Sequence, residues 1–154
     1  MGSISISIPR SLRLPVEIGR AAPGSVDGFF KSNEREALKS LYDFSVIWHE
    51  QSHDFSATEG GEPVGAATIR IAASLAHVER VVVLPERRRA GIGRGLLDAA
   101  ADAANYYNCH KMTALVPHAS AAQQFLEACG YKEEAVLPQH TFKLDVAVMR
   151  KFLL

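Results

Sequence analysis

The sequence predicts an α/β fold: a mixed β-sheet with helices packed on it. Two observations point there. Several short runs show the alternation or the valine and isoleucine density of strands, and longer runs carry apolar residues at helical spacing. Their order is strands, then strand-loop-helix-strand, then helix-strand-strand, which is how a sheet covered by helices is built. With 154 residues, 47% hydrophobic and 22% charged, the chain has apolar material for one core. Residues 1 to 154 are therefore expected to form a single domain.

Ile4, Ile6 and Ile8 alternate with Ser3, Ser5 and Ser7, the period of a half-buried strand closed by Pro9. Leu12 to Ile18 is another candidate strand. From Asn33, with Glu36 three residues on as a capping box, Leu38, Leu41, Phe44 and Trp48 recur at helical spacing. Residues 33 to 50 thus read as an amphipathic helix that faces a core with Leu and Trp. Asp54 to Glu59 and Pro63 to Ala73 are extended runs, and Gly60-Gly61-Glu62 between them signals a hairpin. His77 to Leu84 is a third extended run, dense in Val. Leu96, Leu97, Ala100, Ala101 and Ala104 mark one face of a long helix ending near Asn105 to Asn108. Lys111 to Val116 is a strand stopped by Pro117, and Ser120 to Ala128 a helix with Gly130 at the C-cap position. Strand-like runs return around Tyr131 to Leu137 and Thr141 to Met149.

Seventeen basic residues balance seventeen acidic ones, so no overall field draws the chain to nucleic acid or to an anionic membrane. Any anion must be bound locally. Cys109 and Cys129 have neither metal-ligand spacing nor a disulfide framework, which favours a reducing compartment. No apolar run approaches the ~18 to 20 residues of a membrane span, and Met1-Gly2-Ser3 lacks the layout of a signal peptide. Ile6 stands where a myristoylation motif needs Ser or Thr. The reading is a soluble, cytoplasmic protein.

The chemistry concentrates in Val81-Val82-Val83-Leu84-Pro85-Glu86-Arg87-Arg88-Arg89-Ala90-Gly91-Ile92-Gly93-Arg94-Gly95-Leu96-Leu97. A strand enters, Pro85 blocks further pairing, three glycines at alternate positions allow a tight turn, and a helix leaves with its first amides unpaired. Such amides, with the helix dipole behind them, bind phosphate oxygens, and Arg87, Arg88, Arg89 and Arg94 add charge-assisted bonds. A P-loop would need Gly-Lys-Ser or Gly-Lys-Thr, and a dinucleotide fingerprint would need glycine where Leu96 stands. Both are excluded.

This segment resembles the GNAT-type N-acetyltransferase superfamily, whose signature is Gln or Arg, two residues, Gly, one residue, Gly or Ala. Arg88, Gly91 and Gly93 match it. The likeness extends back through Val83-Leu84-Pro85-Glu86, forward to Ala122-Gln123-Gln124-Phe125-Leu126-Glu127-Ala128-Cys129-Gly130-Tyr131, and to the closing Val148-Met149-Arg150-Lys151-Phe152-Leu153. It implies a GNAT-like central sheet with a splayed parallel strand pair and acetyl-CoA lying across the splay. Val81 and Val83 would offer backbone contacts to the pantetheine, and Arg88, Arg89, Ala90, Gly91, Ile92, Gly93 and Arg94 would hold the pyrophosphate. An amine, small or on a peptide, would attack the thioester directly, with a backbone N–H near Val83 stabilising the oxyanion. Dimers are common in the family, so a homodimer is a further implication.

The chain departs from the family in its last helix. Where the family often has a cofactor-contacting Asn and a Tyr that protonates the leaving thiolate, this chain has Ala119 and Leu126. Ser120 is the neighbouring candidate for a cofactor contact, and Ser120 or Tyr131 for a substitute acid. A thiol with a pKa near ~8.5 leaves tolerably without one. For the base that deprotonates the amine, the family position at the start of the strand entering the loop holds His77 and Glu79. Strand alternation puts His77, Glu79, Val81 and Val83 on one face, with Glu79 as base and His77 as helper. A salt bridge from Glu79 to Arg80 or another arginine is the bland alternative.

Two other activities compete. The missing acid suggests a non-catalytic acyl-CoA-binding module. His49-Glu50-Gln51-Ser52-His53 matches the zinc-hydrolase motif His-Glu-x-x-His, which needs both histidines in one helix; the helical period fades near Trp48, so no metal is expected. His110, His118 and His140 have no matched partners and read as structural or exposed, and Tyr106-Tyr107 as the cap of a core-facing helix.

Overall fold

A computed structural model describes Ser7 and residues 9 to 153. The candidate strand at Ile4, Ile6 and Ile8 lies outside the described residues. The chain divides into two compact units, Met1–Val46 and Ile47–Leu154.

In the first unit, Leu12 to Ile18 does not form the expected strand. A 3-10 turn covers Arg10–Leu12, and residues 13 to 22 have no regular structure. Helix α1 runs Asp27–Tyr42, not 33 to 50. Asp27 in the first turn suits the positive end of the helix dipole. Asn33 does not cap: it sits a turn and a half inside, where its Nδ2 donates to the Phe29 carbonyl at 2.8 Å. Asp43, left-handed at φ 61°, ends the helix and donates its N–H to the Lys39 carbonyl at 2.9 Å. No residue of α1 is buried, contrary to the expected core face.

The second unit is a six-stranded sheet: β1 Gln51–Glu59, β2 Glu62–Ala72, β3 Leu75–Val83, β4 Lys111–Pro117, β5 Lys132–Leu137 and β6 Val146–Phe152. The order across the sheet is β1-β2-β3-β4-β6-β5. Gly60 and Gly61, at φ 59° and 83°, make the primed turn of the β1–β2 hairpin, where both central residues need positive φ. Helix α2, Ile92–Tyr106, carries the chain from β3 to β4, so that pair is parallel while the others are antiparallel. Helix α3, Ala121–Ala128, is capped at Ser120, whose Oγ accepts the Gln123 N–H at 3.2 Å. Gly130, at φ 91°, follows its end as expected. The last strand-like run begins later than the sequence suggests, because Thr141–Lys143 is a 3-10 turn.

One face of the sheet carries the core. Ile69, Ile71, Ala76, Val78, Met112, Ala114, Ala147 and Met149 pack with Leu97, Ala100 and Ala104 of α2 and Leu126 of α3. The face alternation of β3 is broken within it. Ile69 pairs with Val78 but Thr68 pairs with Arg80, so Glu79 is an extra residue in a β-bulge. Up to Val78 the even positions face the core; beyond the bulge Val81 packs there instead. His77 and Glu79 therefore share the opposite face, while Val81 and Val83 do not. The unbroken alternation expected from sequence is wrong for this reason.

Candidate active site at the strand fork

The parallel pair is short. Leu75, Ala76 and His77 pair with Lys111, Met112 and Thr113, and no further rung joins β3 to β4 among the described residues. Both strands continue past this point, to Val83 and Pro117, so they splay from the His77–Thr113 rung onward. Val82 (63% exposed) and Leu115 (45% exposed) stand on the strands that border the opening. At the fork, His77 Nδ1 and Thr113 Oγ1 are hydrogen-bonded at 2.9 Å. Burial, then the charge of Arg70, lowers the His77 pKa from its ordinary 6.5, against a raising effect of Glu79. His77 is thus a neutral imidazole near pH 7. Glu79 forms an ion pair with Arg70 at 3.6 Å, and Arg70 also meets Glu50 at 3.5 Å.

The loop lies at the far end of the splay, roughly 20 Å along β3 from His77 at about 3.3 Å per residue. A 3-10 turn at Pro85–Arg87 leads through Arg89, left-handed at φ 65°, to Gly91 at φ 79°, the residue before α2. The first bond of the α2 ladder runs from the Gly95 N–H to the Gly91 carbonyl at 2.9 Å. The amides of Ile92, Gly93 and Arg94 point out of the helix end, which makes them anion donors. The four arginines are not equivalent. Arg87 forms a bidentate pair with Glu59, at 2.6 and 3.0 Å; Arg88 Nε donates to the Val83 carbonyl at 3.3 Å; and Arg94 donates to the Ala128 carbonyl at 2.5 Å, at the end of α3. Arg89 is exposed beside the turn.

Gly93 is small for a reason the sequence did not suggest. A Cβ there would lie 2.8 Å from Phe125 Cζ and 3.0 Å from its Cε2, so the position serves the packing of α2 on α3.

Of the substitute acids, Tyr131 is excluded. It is 2% exposed within the core cluster, its hydroxyl donates to Met112 Sδ at 3.6 Å, and burial first of all pushes its phenol far above the usual range. Leu126 is likewise in the core, 4% exposed. Ser120 uses an oxygen lone pair as helix cap and keeps its proton to donate. His118, just beyond β4, binds Glu133 at 2.9 Å, and Glu133 accepts from the buried Gln123 at 2.9 Å. The sequence hinted at neither bond, since both depend on tertiary neighbours. The zinc motif lacks its helix: His49 has φ 40°, and Gln51 to His53 already belong to β1. His53 stacks on Tyr107, ring centres 4.8 Å apart. A cavity of about 450 Å³ lies between β1 and α2, lined by Phe55, Ala57, Ile92 and Leu96. None of the residues that line it belongs to the His77–Thr113 rung, where the polar groups of the fork meet.

The profile of the Acetyltransferase (GNAT) family matches residues 25–131. The chain belongs to this family. It is an acetyltransferase, and its mixed sheet with the splayed β3–β4 pair is the GNAT fold. A sequence comparison with curated proteins found no match. Among solved structures, an acetyltransferase from Bacillus cereus superposes with a TM-score of 0.71 at 18% identity, over 90% of this chain and 98% of that one. The ribosomal-protein-S18-alanine N-acetyltransferase of Escherichia coli superposes with 0.59 at 17%, over 88% and 92%. An aminoglycoside 6'-N-acetyltransferase complexed with coenzyme A gives 0.61 at 16%, over 67% and 73%. These superpositions show a shared fold, and the family uses acetyl-CoA. Among the described residues, no helix is long and apolar enough to cross a membrane.

Proposed function

We propose that this chain moves an acetyl group from acetyl-CoA to a primary amine by direct attack, with the co-substrate lying in the splay between β3 and β4. The observation that carries the reading is the splay of β3 from β4 beyond the His77–Thr113 rung, with that hydrogen-bonded histidine at the fork and the N-terminus of α2 following the far end of β3. Acetyl-CoA supplies an acetyl group activated as a thioester. Ile92, Gly93 and Arg94 amides, with Arg88 and Arg89, would hold its pyrophosphate, and the β3 edge at Val81 and Val83 its pantetheine. Ser120, beyond the end of β4, is the remaining cofactor contact. The family match crosses both compact units, which supports one functional domain.

The base function is assigned to His77 with Glu79. In the tautomer with the proton on Nδ1, Thr113 Oγ1 accepts it and Nε2 keeps the lone pair that takes a proton from the amine. Glu79, ion-paired to Arg70, sets the local charge. The backbone amides at the Glu79 bulge lie nearer the fork than one near Val83, so they are the better oxyanion donors. The thiolate leaves unassisted, as a thiol with a pKa near ~8.5 can; Ser120, more than about 10 Å along the chain direction of β4 from Thr113, is too far from the fork to protonate it. The test is thiol release from acetyl-CoA with a panel of small amines and peptides, together with the mass of the acetylated product. Turnover with any amine supports the reading. Coenzyme A binding without turnover for any amine would mark an acyl-CoA-binding module instead.

A further inference from the structure

The residues that flank the His77–Thr113 rung form a line across the sheet face opposite α2 and α3. Ser52 pairs with Arg70, Arg70 with His77, His77 with Thr113, Thr113 with Arg150, and Arg150 with Lys132. Directly paired residues share a face. The two ends of this line differ in charge. On the β2 side, Arg70 is matched by Glu50 and Glu79.

On the β6 and β5 side, Arg150 and Lys132 are directly opposite each other, a like-charge pairing that destabilises a sheet unless something offsets it. Neither forms an ion pair among the described residues. Glu134, the extra residue where the β5–β6 register shifts, gives both oxygens to Lys111, at 2.6 and 2.8 Å. Arg150 is also held in place: its guanidinium stacks on the Phe152 ring, 4.5 Å from the centroid, and it is only partly exposed. A fixed guanidinium beside a second cation, with the local carboxylate already used, is built to receive an anion.

Arg150 lies two strands from His77, roughly 10 Å between backbones at about 4.8 Å per strand. A small molecule can reach both. We propose that the acceptor amine carries a carboxylate or phosphate that binds Arg150 and Lys132 while its nitrogen lies at the His77–Thr113 rung. This rests on the acetyl-transfer reading and names its substrate class. The amine then faces the acidic side of the line and the anion the basic side.

The experiment is thiol release from acetyl-CoA with matched acceptors: amino acids against their carboxamides, and phosphoethanolamine against ethanolamine. The anionic member of one series should have a kcat/KM about ten- to a hundredfold higher, the scale of a charge-assisted contact, and the series that responds identifies carboxylate or phosphate. Arg150→Gln should bring that ratio close to one, Lys132→Gln should reduce it, and Arg150→Lys should keep part of it. Turnover confined to neutral amines, or equal for both members, overturns this proposal and leaves acetyl transfer standing. A ratio unchanged in folded Arg150→Gln and Lys132→Gln proteins overturns it too, and no thiol release with any amine overturns both readings.

Discussion

Replacing His77 with Gln removes the proposed base while keeping a polar side chain that can still bond Thr113. A general base contributes about 10² to 10⁴ in rate, so turnover should fall at least ~100-fold, or about 2.7 kcal/mol of barrier. Thr113→Val deletes only the bond that fixes the ring, worth about 0.5 to 1.5 kcal/mol, and should cost roughly two- to tenfold. The pH profile is the sharper assay. Burial and Arg70 lower the His77 pKa below its ordinary 6.5, so log kcat/KM should be flat near neutrality and fall only as pH drops through that depressed value. Arg70→Gln removes a lowering charge, and the acid limb should move to higher pH. Glu79→Gln removes a raising charge, and the limb should move lower. Stability is linked with the same sign. Between the folded pKa and 6.5 the unfolded chain binds more protons, so stability present above pH 6.5 is lost as pH falls toward the folded value. A His77→Gln enzyme that kept wild-type turnover and its acid limb would refute the assignment. Glu79, tested by a hundredfold loss in Glu79→Gln, would then be the base.

Two further predictions concern the frame around the site. Gly93→Ala places a methyl 2.8 Å from Phe125, so the ring must retreat by about 0.6 Å to reach an ordinary contact. Overpacking of this kind costs about 1 to 3 kcal/mol against a gain of about 0.5 to 1 from replacing glycine in a helix. Urea denaturation should show a net loss that Phe125→Leu relieves; equal losses with and without Phe125→Leu would count against the contact. Ser120→Ala should cost about 1 kcal/mol by loss of the α3 cap, read by the same denaturation, and an unchanged midpoint would remove Ser120 from that role.

What could be read from sequence was what local chemistry dictates. Gly60-Gly61 announced a hairpin because two positive-φ residues leave few alternatives, and the Pro85 to Gly95 segment announced a strand-loop-helix through Pro85, just past the last pairing of β3, and Gly91, left-handed before α2; Gly93 and Gly95 lie inside the helix and take no part in the turn. Ser120 and Gly130 marked the ends of α3. The start of α1 was misread because Asn33 and Glu36 satisfy a capping pattern equally well inside a helix that Asp27 begins. The bulge at Glu79 was invisible: His77, Glu79, Val81 and Val83 alternate without a break, and only pairing with β2 shows that one residue is extra. The roles of Gly93 and Tyr131 depend on neighbours far along the chain, Phe125 in one case and Met112 in the other. The charged line from Arg70 to Lys132 joins five strands, and no window of sequence contains it.

Titration of coenzyme A into the purified protein, monitored by calorimetry, tests the account most directly, because every step depends on a co-substrate held by the loop before α2. Gly91 is left-handed at φ 79° with open space around it, so Gly91→Val distorts the loop through its backbone without crowding a neighbour. The account predicts saturable binding of one equivalent by the native chain and at least tenfold weaker binding by a folded Gly91→Val protein. No binding by the native chain, or native affinity in the folded variant, would contradict it.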